Sequence, residues 1–154
     1  MYTTGVQMSL KQLKLAVVGI FIGGAVHAQA GVPATCAVFQ SSVTATISSS
    51  NGVVTVTPDT ACVTAGGTMK WKAGGSESWT TDFNDDPHSA FSPGHKHHHG
   101  KGNNAVGGKV RACSQSDASY NASAGGCVFQ YKATHTTNGA QSSTDPQVII
   151  KPGT

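Results

Sequence analysis

The stretch Ser42-Val43-Thr44-Ala45-Thr46-Ile47-Ser48 alternates polar and apolar side chains, then meets Asn51-Gly52 and the run Val53-Val54-Thr55-Val56-Thr57. Alternation with period two sets Val43, Ala45 and Ile47 on one face of an extended strand. Asn-Gly is the pair that best tolerates φ > 0 at both central positions of a type I′ turn, and the β-branched run beyond it returns as a second strand. The stretch is a β-hairpin, and the rest of the chain follows its style. Pro58-Asp59-Thr60 breaks the run, and Ala65-Gly66-Gly67 reads as a further turn. Thr68-Met69-Lys70-Trp71-Lys72 then alternates with Met69 and Trp71 on one face, and Gly74-Gly75 ends it. Trp79, Thr81 and Phe83 share a face of a short strand, and Val106 to Ala112 gives another. In Cys127 to Ala133, the residues Cys127, Phe129, Tyr131 and Ala133 point one way while Gln130 and Lys132 point the other. A last strand lies between Pro146 and Pro152, with Val148 and Ile150 opposite Ile149. About seven short strands joined by Gly-, Ser- and Thr-rich turns predict an all-β chain, a small antiparallel Greek-key β-sandwich.

The N-terminus reads differently. Lys11 and Lys14 precede the apolar run Leu15 to Val26, and Ala28-Gln29-Ala30 places small residues where a signal peptidase inspects them. Residues 1–30 are therefore expected to be a signal peptide cleaved after Ala30, leaving 31–154 as a single domain, and Met8 opens a leader of more usual form than Met1. About a dozen apolar residues interrupted by glycines are too few to span ~30 Å of hydrocarbon, so no membrane association is expected after cleavage. Localisation is expected to be exported, periplasmic or secreted. Composition narrows the partners further. Only 11% of the 154 residues are charged, against roughly 25% in an average soluble chain. Without Lys11 and Lys14 the ten basic side chains fall to eight against seven acidic ones, and Arg111 is the only arginine. That leaves no clustered cation face for phosphates, so nucleic acid is excluded as a partner.

Cys36, Cys62, Cys113 and Cys127 are an even set in a chain read as exported, which favours two disulfides over a metal-thiolate cluster. Three pairings are possible. Cys36 with Cys62 and Cys113 with Cys127 close the short local loops, each closure being worth about 3 to 4 kcal/mol in the chain-entropy account. No C-x2-C spacing occurs.

Taken in order, the hairpin, the turn ending in Gly66-Gly67-Thr68, the strand Met69-Lys70-Trp71, the segment Pro87-His88-Ser89-Ala90-Phe91, the strand Phe129-Gln130-Tyr131 leading to His135, and the final strand resemble the cupredoxin (plastocyanin/azurin-like) fold. The resemblance covers most of 38–151. The ending Asp145-Pro146-Gln147-Val148-Ile149-Ile150 is similar to that of small exported cupredoxin-like proteins in which a longer hairpin replaces the copper loop. For a blue-copper electron carrier the resemblance implies an upstream histidine at His88 and a second at His135. Ala133 stands where the copper thiolate belongs, Cys127 lies eight residues before His135 and no methionine follows Met69. A type 1 centre depends on that thiolate, so the resemblance implies the fold rather than the blue-copper chemistry.

The residues with obvious chemical content run from Asp82 to His99. His88, His95, His97, His98 and His99, with the carboxylates Asp82, Asp85 and Asp86, fall within eighteen residues. Neutral imidazoles are borderline ligands suited to Cu(II), Zn(II) and Ni(II). Pro93-Gly94 and Gly100-Lys101-Gly102-Asn103-Asn104 suggest a flexible His-rich loop over 82–104 that gathers them round one ion. The competing reading is a solvated polar loop on a structural or partner-binding sandwich that needs no metal. No organic cofactor and no catalytic machinery are expected, since the chain carries no G-x-S-x-G, no H-E-x-x-H, no P-loop and no dinucleotide-binding glycine pattern. The sequence thus predicts an exported, non-enzymatic, metal-binding or metal-buffering protein, its protein partner unspecified.

Overall fold

A computed structural model of the chain describes residues 34–83, 89–137 and 140–153, so the signal peptide expected over 1–30 lies outside the described residues. Within them the chain forms β1 (Gln40–Ser50), β2 (Val53–Thr57), β3 (Thr60–Ala73), β4 (Ser78–Asp82), β5 (His97–Lys101), β6 (Val106–Lys109), β7 (Tyr120–Asn121), β8 (Gly126–Gln130), β9 (Lys132–Thr137), β10 (Ala140–Thr144) and β11 (Gln147–Ile150), with no helix among the described residues. Seven strands make one sheet in the order β2-β1-β3-β11-β8-β7, with β6 also on β3, and four make a second in the order β10-β9-β4-β5. The expected all-β sandwich is present.

The opening hairpin forms as its sequence dictates: β1 and β2 pair antiparallel with Ser50 opposite Val53, and Asn51 and Gly52 take φ values of 51° and 76°. Three expectations need correction. First, the larger sheet is mixed and not purely antiparallel, because β3 runs parallel to β1 (Val43 opposite Met69) and to β11 (Val148 opposite Ala61). Second, Ala65-Gly66-Gly67 is no turn but an irregularity inside β3, where the pairing with β1 jumps from Gln40–Val63 to Ser42–Thr68. Gly66 takes φ 71° there, and a Cβ on Gly67 would stand 2.7 Å from the Ser41 carbonyl oxygen. The glycines let the strand bulge and continue, so that its first half pairs with β11 and its second with β1 and β6. Third, Cys127 to Ala133 is not one strand. It leaves the larger sheet as β8 and enters the smaller one as β9, with Tyr131 between them donating its N–H to the Pro146 carbonyl at 3.0 Å. Cys127, Phe129, Tyr131 and Ala133 all stay buried through the switch, because the interior lies between the two sheets that the segment joins.

That interior is aromatic at its centre. Trp71 meets Phe83, Phe91 and Tyr131 edge-on at 5.9, 5.6 and 5.4 Å, and Phe83 stacks on Tyr131 at 4.9 Å. The Trp71 Nε1–H donates to the Tyr131 hydroxyl at 2.9 Å, satisfying both polar tips in a dry core. Burial pushes the Tyr131 phenol well above its ordinary range despite that hydrogen bond. The disulfides Cys36–Cys62 and Cys113–Cys127 brace the sheet, the first fastening the lead-in of β1 to β3 and the second fastening the segment after β6 to β8.

Candidate metal-binding face

The histidine-rich segment is not a loop throughout. His97, His98, His99 and Gly100 pair antiparallel with β4, setting His97 opposite Asp82, His98 opposite Thr81, His99 opposite Thr80 and Gly100 opposite Trp79. The ladder extends one step further, as the Phe83 N–H donates to the Lys96 carbonyl at 2.9 Å. Two features of the sequence enforce this. Trp79, Thr81 and Phe83 supply a strand with a buried face for β5 to join. Gly100 supplies clearance: a Cβ there would lie 2.5 Å from Cζ2 of Trp79, so the indole can cover β5 only where the side chain is missing. The glycine read as a source of flexibility is a packing site.

Strand geometry then divides the histidines. Successive side chains of β5 point to opposite faces, and His98 goes inward with 8% of its surface exposed while His97 and His99 face outward. The His98 ring lies 5.0 Å from Trp71 and 4.7 Å from Phe91, centroid to centroid. Its Nε2 is buried and meets no hydrogen-bond partner among the described residues. Desolvation, with smaller contributions from His95, His97 and His99 when they are charged, pushes His98 down to about 4, so this imidazole is neutral at physiological pH. His95 sits on the exposed stretch leading into β5, its ring 6.5 Å from that of His98, and its carbonyl accepts a hydrogen bond from the Ser89 hydroxyl at 2.9 Å. His88, Asp85 and Asp86 lie outside the described residues.

On the outward face, two residues of strand rise separate the Cα atoms of His97 and His99 by roughly 6.6 Å. Across the ladder, the Asp82 carboxylate Oδ1 lies 3.5 Å from Nδ1 of His97. The other outward neighbours are Thr80 opposite His99, Thr134 opposite Thr80 and, beyond Asp82, Lys132 of β9. Among the described residues no three His, Cys, Asp or Glu side chains stand together as a ready-made metal site. The five-histidine convergence expected over one ion is therefore not what the described residues show: they bring His97, His99 and Asp82 to one face and send His98 to the other.

His135, the second histidine implied by the cupredoxin resemblance, faces inward on β9 with its Nε2 3.0 Å from the Glu77 carboxylate. Glu77 was invisible to sequence reasoning because 58 residues separate the two and only the pairing of β4 with β9 brings them together. All four cysteines are consumed by disulfides, which leaves no thiolate for a type 1 copper centre.

In comparisons with known proteins, no family model, no curated protein and no solved structure matches this chain. Function has to be argued from the site itself.

Proposed function

We propose that this is an exported, non-enzymatic, cupredoxin-like β-sandwich that binds or buffers a divalent transition metal ion, Cu(II), Zn(II) or Ni(II), on the outer face of β5. One observation carries the reading: His97 and His99 project from the same face of a strand, two residues apart, with the Asp82 carboxylate 3.5 Å from Nδ1 of His97. Two imidazoles at that spacing on one strand face chelate one ion through nitrogen, and a carboxylate on the far ring nitrogen raises the basicity of the nitrogen that binds. The two disulfides are those of a chain matured in an oxidising compartment, and the leader-like residues 1–30 agree with export. His98 is not a ligand in this reading. Its ring is a hydrophobic wedge that fixes which face His97 and His99 occupy.

The test is calorimetric titration of the oxidised protein, lacking residues 1–30, with ZnCl2 and CuCl2. The double variant H97A/H99A should lose binding, whereas H98F should keep it. Unchanged affinity in H97A/H99A would remove β5 from the reading and leave a structural or partner-binding sandwich.

A further inference from the structure

We infer that the β5 site is shared between two copies of this chain, His97 and His99 of each holding one Zn(II) ion on a two-fold axis. The inference rests on the reading of β5 as a metal-binding face and adds to it a partner and a stoichiometry. Zinc held by protein is almost always four-coordinate and tetrahedral in closed sites. The outer face of β5 offers two imidazoles per chain, and the alternation that exposes them buries the third, His98, against Trp71 and Phe91. No group of three donors converges among the described residues. Among the described residues the two-histidine half-site thus supplies two of the four ligands, and a two-fold operation supplies the same two again, in the self-complementary manner by which most homodimers form.

The surroundings suit that arrangement. Among the described residues β5 ends its sheet, with β4 as its single ladder neighbour. Beside His99 the outward residues of β4 and β9, Thr80, Ser78 and Thr134, are short, and the long Lys132 is set off from His97 by Asp82. The same face carries charges of both signs: the Asp82 carboxylate lies 3.5 Å from Nδ1 of His97, Lys132 of β9 stands opposite Asp82, and Lys101 lies two residues beyond His99.

The experiment uses ZnCl2 as the probe on the oxidised protein lacking residues 1–30, with stoichiometry from calorimetry and mass from sedimentation velocity. The expected result is one zinc per two chains, a doubling of mass that EDTA reverses, loss of the dimer in H97A and in H99A, and its retention in H98F. A monomer carrying one zinc per chain, with binding abolished by H97A, would overturn the shared site and leave the metal-binding reading standing. Zinc binding that H97A/H99A does not touch would overturn both, as would no binding at all. Circular dichroism of each variant separates lost ligands from lost fold, and these two histidines are exposed enough for the fold to survive their removal.

Discussion

Acid should loosen this sandwich through one buried imidazole, and the size of the effect follows from where His98 sits. In the folded chain His98 is pushed from 6.5 down to about 4, chiefly by burial. The unfolded chain exposes the same ring to water, where it titrates at about 6.5. Between those two values the unfolded state therefore holds a proton that the folded state refuses, and stability falls as pH falls across the window. The contribution is fully present above about pH 6.5, is lost progressively on acidification, and levels off below about 4, where both states are protonated. Linkage converts the offset into about 2.5 kcal/mol of lost stability between pH ~7.5 and ~4.5, a large share of the 5–15 kcal/mol typical of a whole domain. His98→Phe places a ring of similar shape between Trp71 and Phe91 and removes the titration. Urea unfolding followed by the fluorescence of Trp71 and Trp79, with disulfides intact and metal chelated, reads the difference. Other groups titrate too, so the informative quantity is the wild-type loss minus the loss in the variant. If H98F weakens by as much as wild type over this range, the account of His98 as a neutral wedge is wrong.

Other substitutions probe separate parts of the argument. Asp82→Asn keeps the shape but removes the carboxylate beside His97, and zinc affinity should drop by about tenfold if that group supports the ligand; calorimetry decides it. Gly100→Ala forces a Cβ against the Trp79 indole and should cost about 1–3 kcal/mol in urea unfolding, whereas a merely flexible position would accept alanine without loss. Tyr131→Phe leaves the Trp71 Nε1–H buried without its acceptor, an expected cost of about 1–3 kcal/mol, and a neutral result would mean that water replaces the hydroxyl. Replacing Cys113 and Cys127 together by serine should lower stability by about 3 kcal/mol through the freed unfolded loop. Peptide mapping without reductant checks that these two are the residues joined.

Short-range chemistry was legible in the residues alone. The type I′ hairpin could be read from Asn51-Gly52 because a φ > 0 pair is a local requirement, and the inward faces could be read from alternation because period two is a property of one strand. The cysteine pairs followed from their spacing and from an N-terminus read as an export signal. What escaped is what two distant segments must agree on. Alternation marks which side chains are buried but not in which sheet, so Cys127 to Ala133 looks continuous although it crosses from one sheet to the other at Tyr131. A Gly-Gly pair reads as a turn until strands pair with the chain on either side of it, as β11 does before Gly66-Gly67 and β1 and β6 do after, so that the strand bulges there and continues. The candidate site shows the same division. From its sequence the segment His95 to His99 is a cluster of equivalent imidazoles, chemically suited to a borderline metal and no more specific than that. Pairing with β4 made them inequivalent, since a strand must point alternate side chains to opposite faces and the core behind β5 had room for one aromatic ring beside Trp71 and Phe91. Residue type alone determined what these histidines can bind, and tertiary packing decided which of them face the solvent where an ion could reach them.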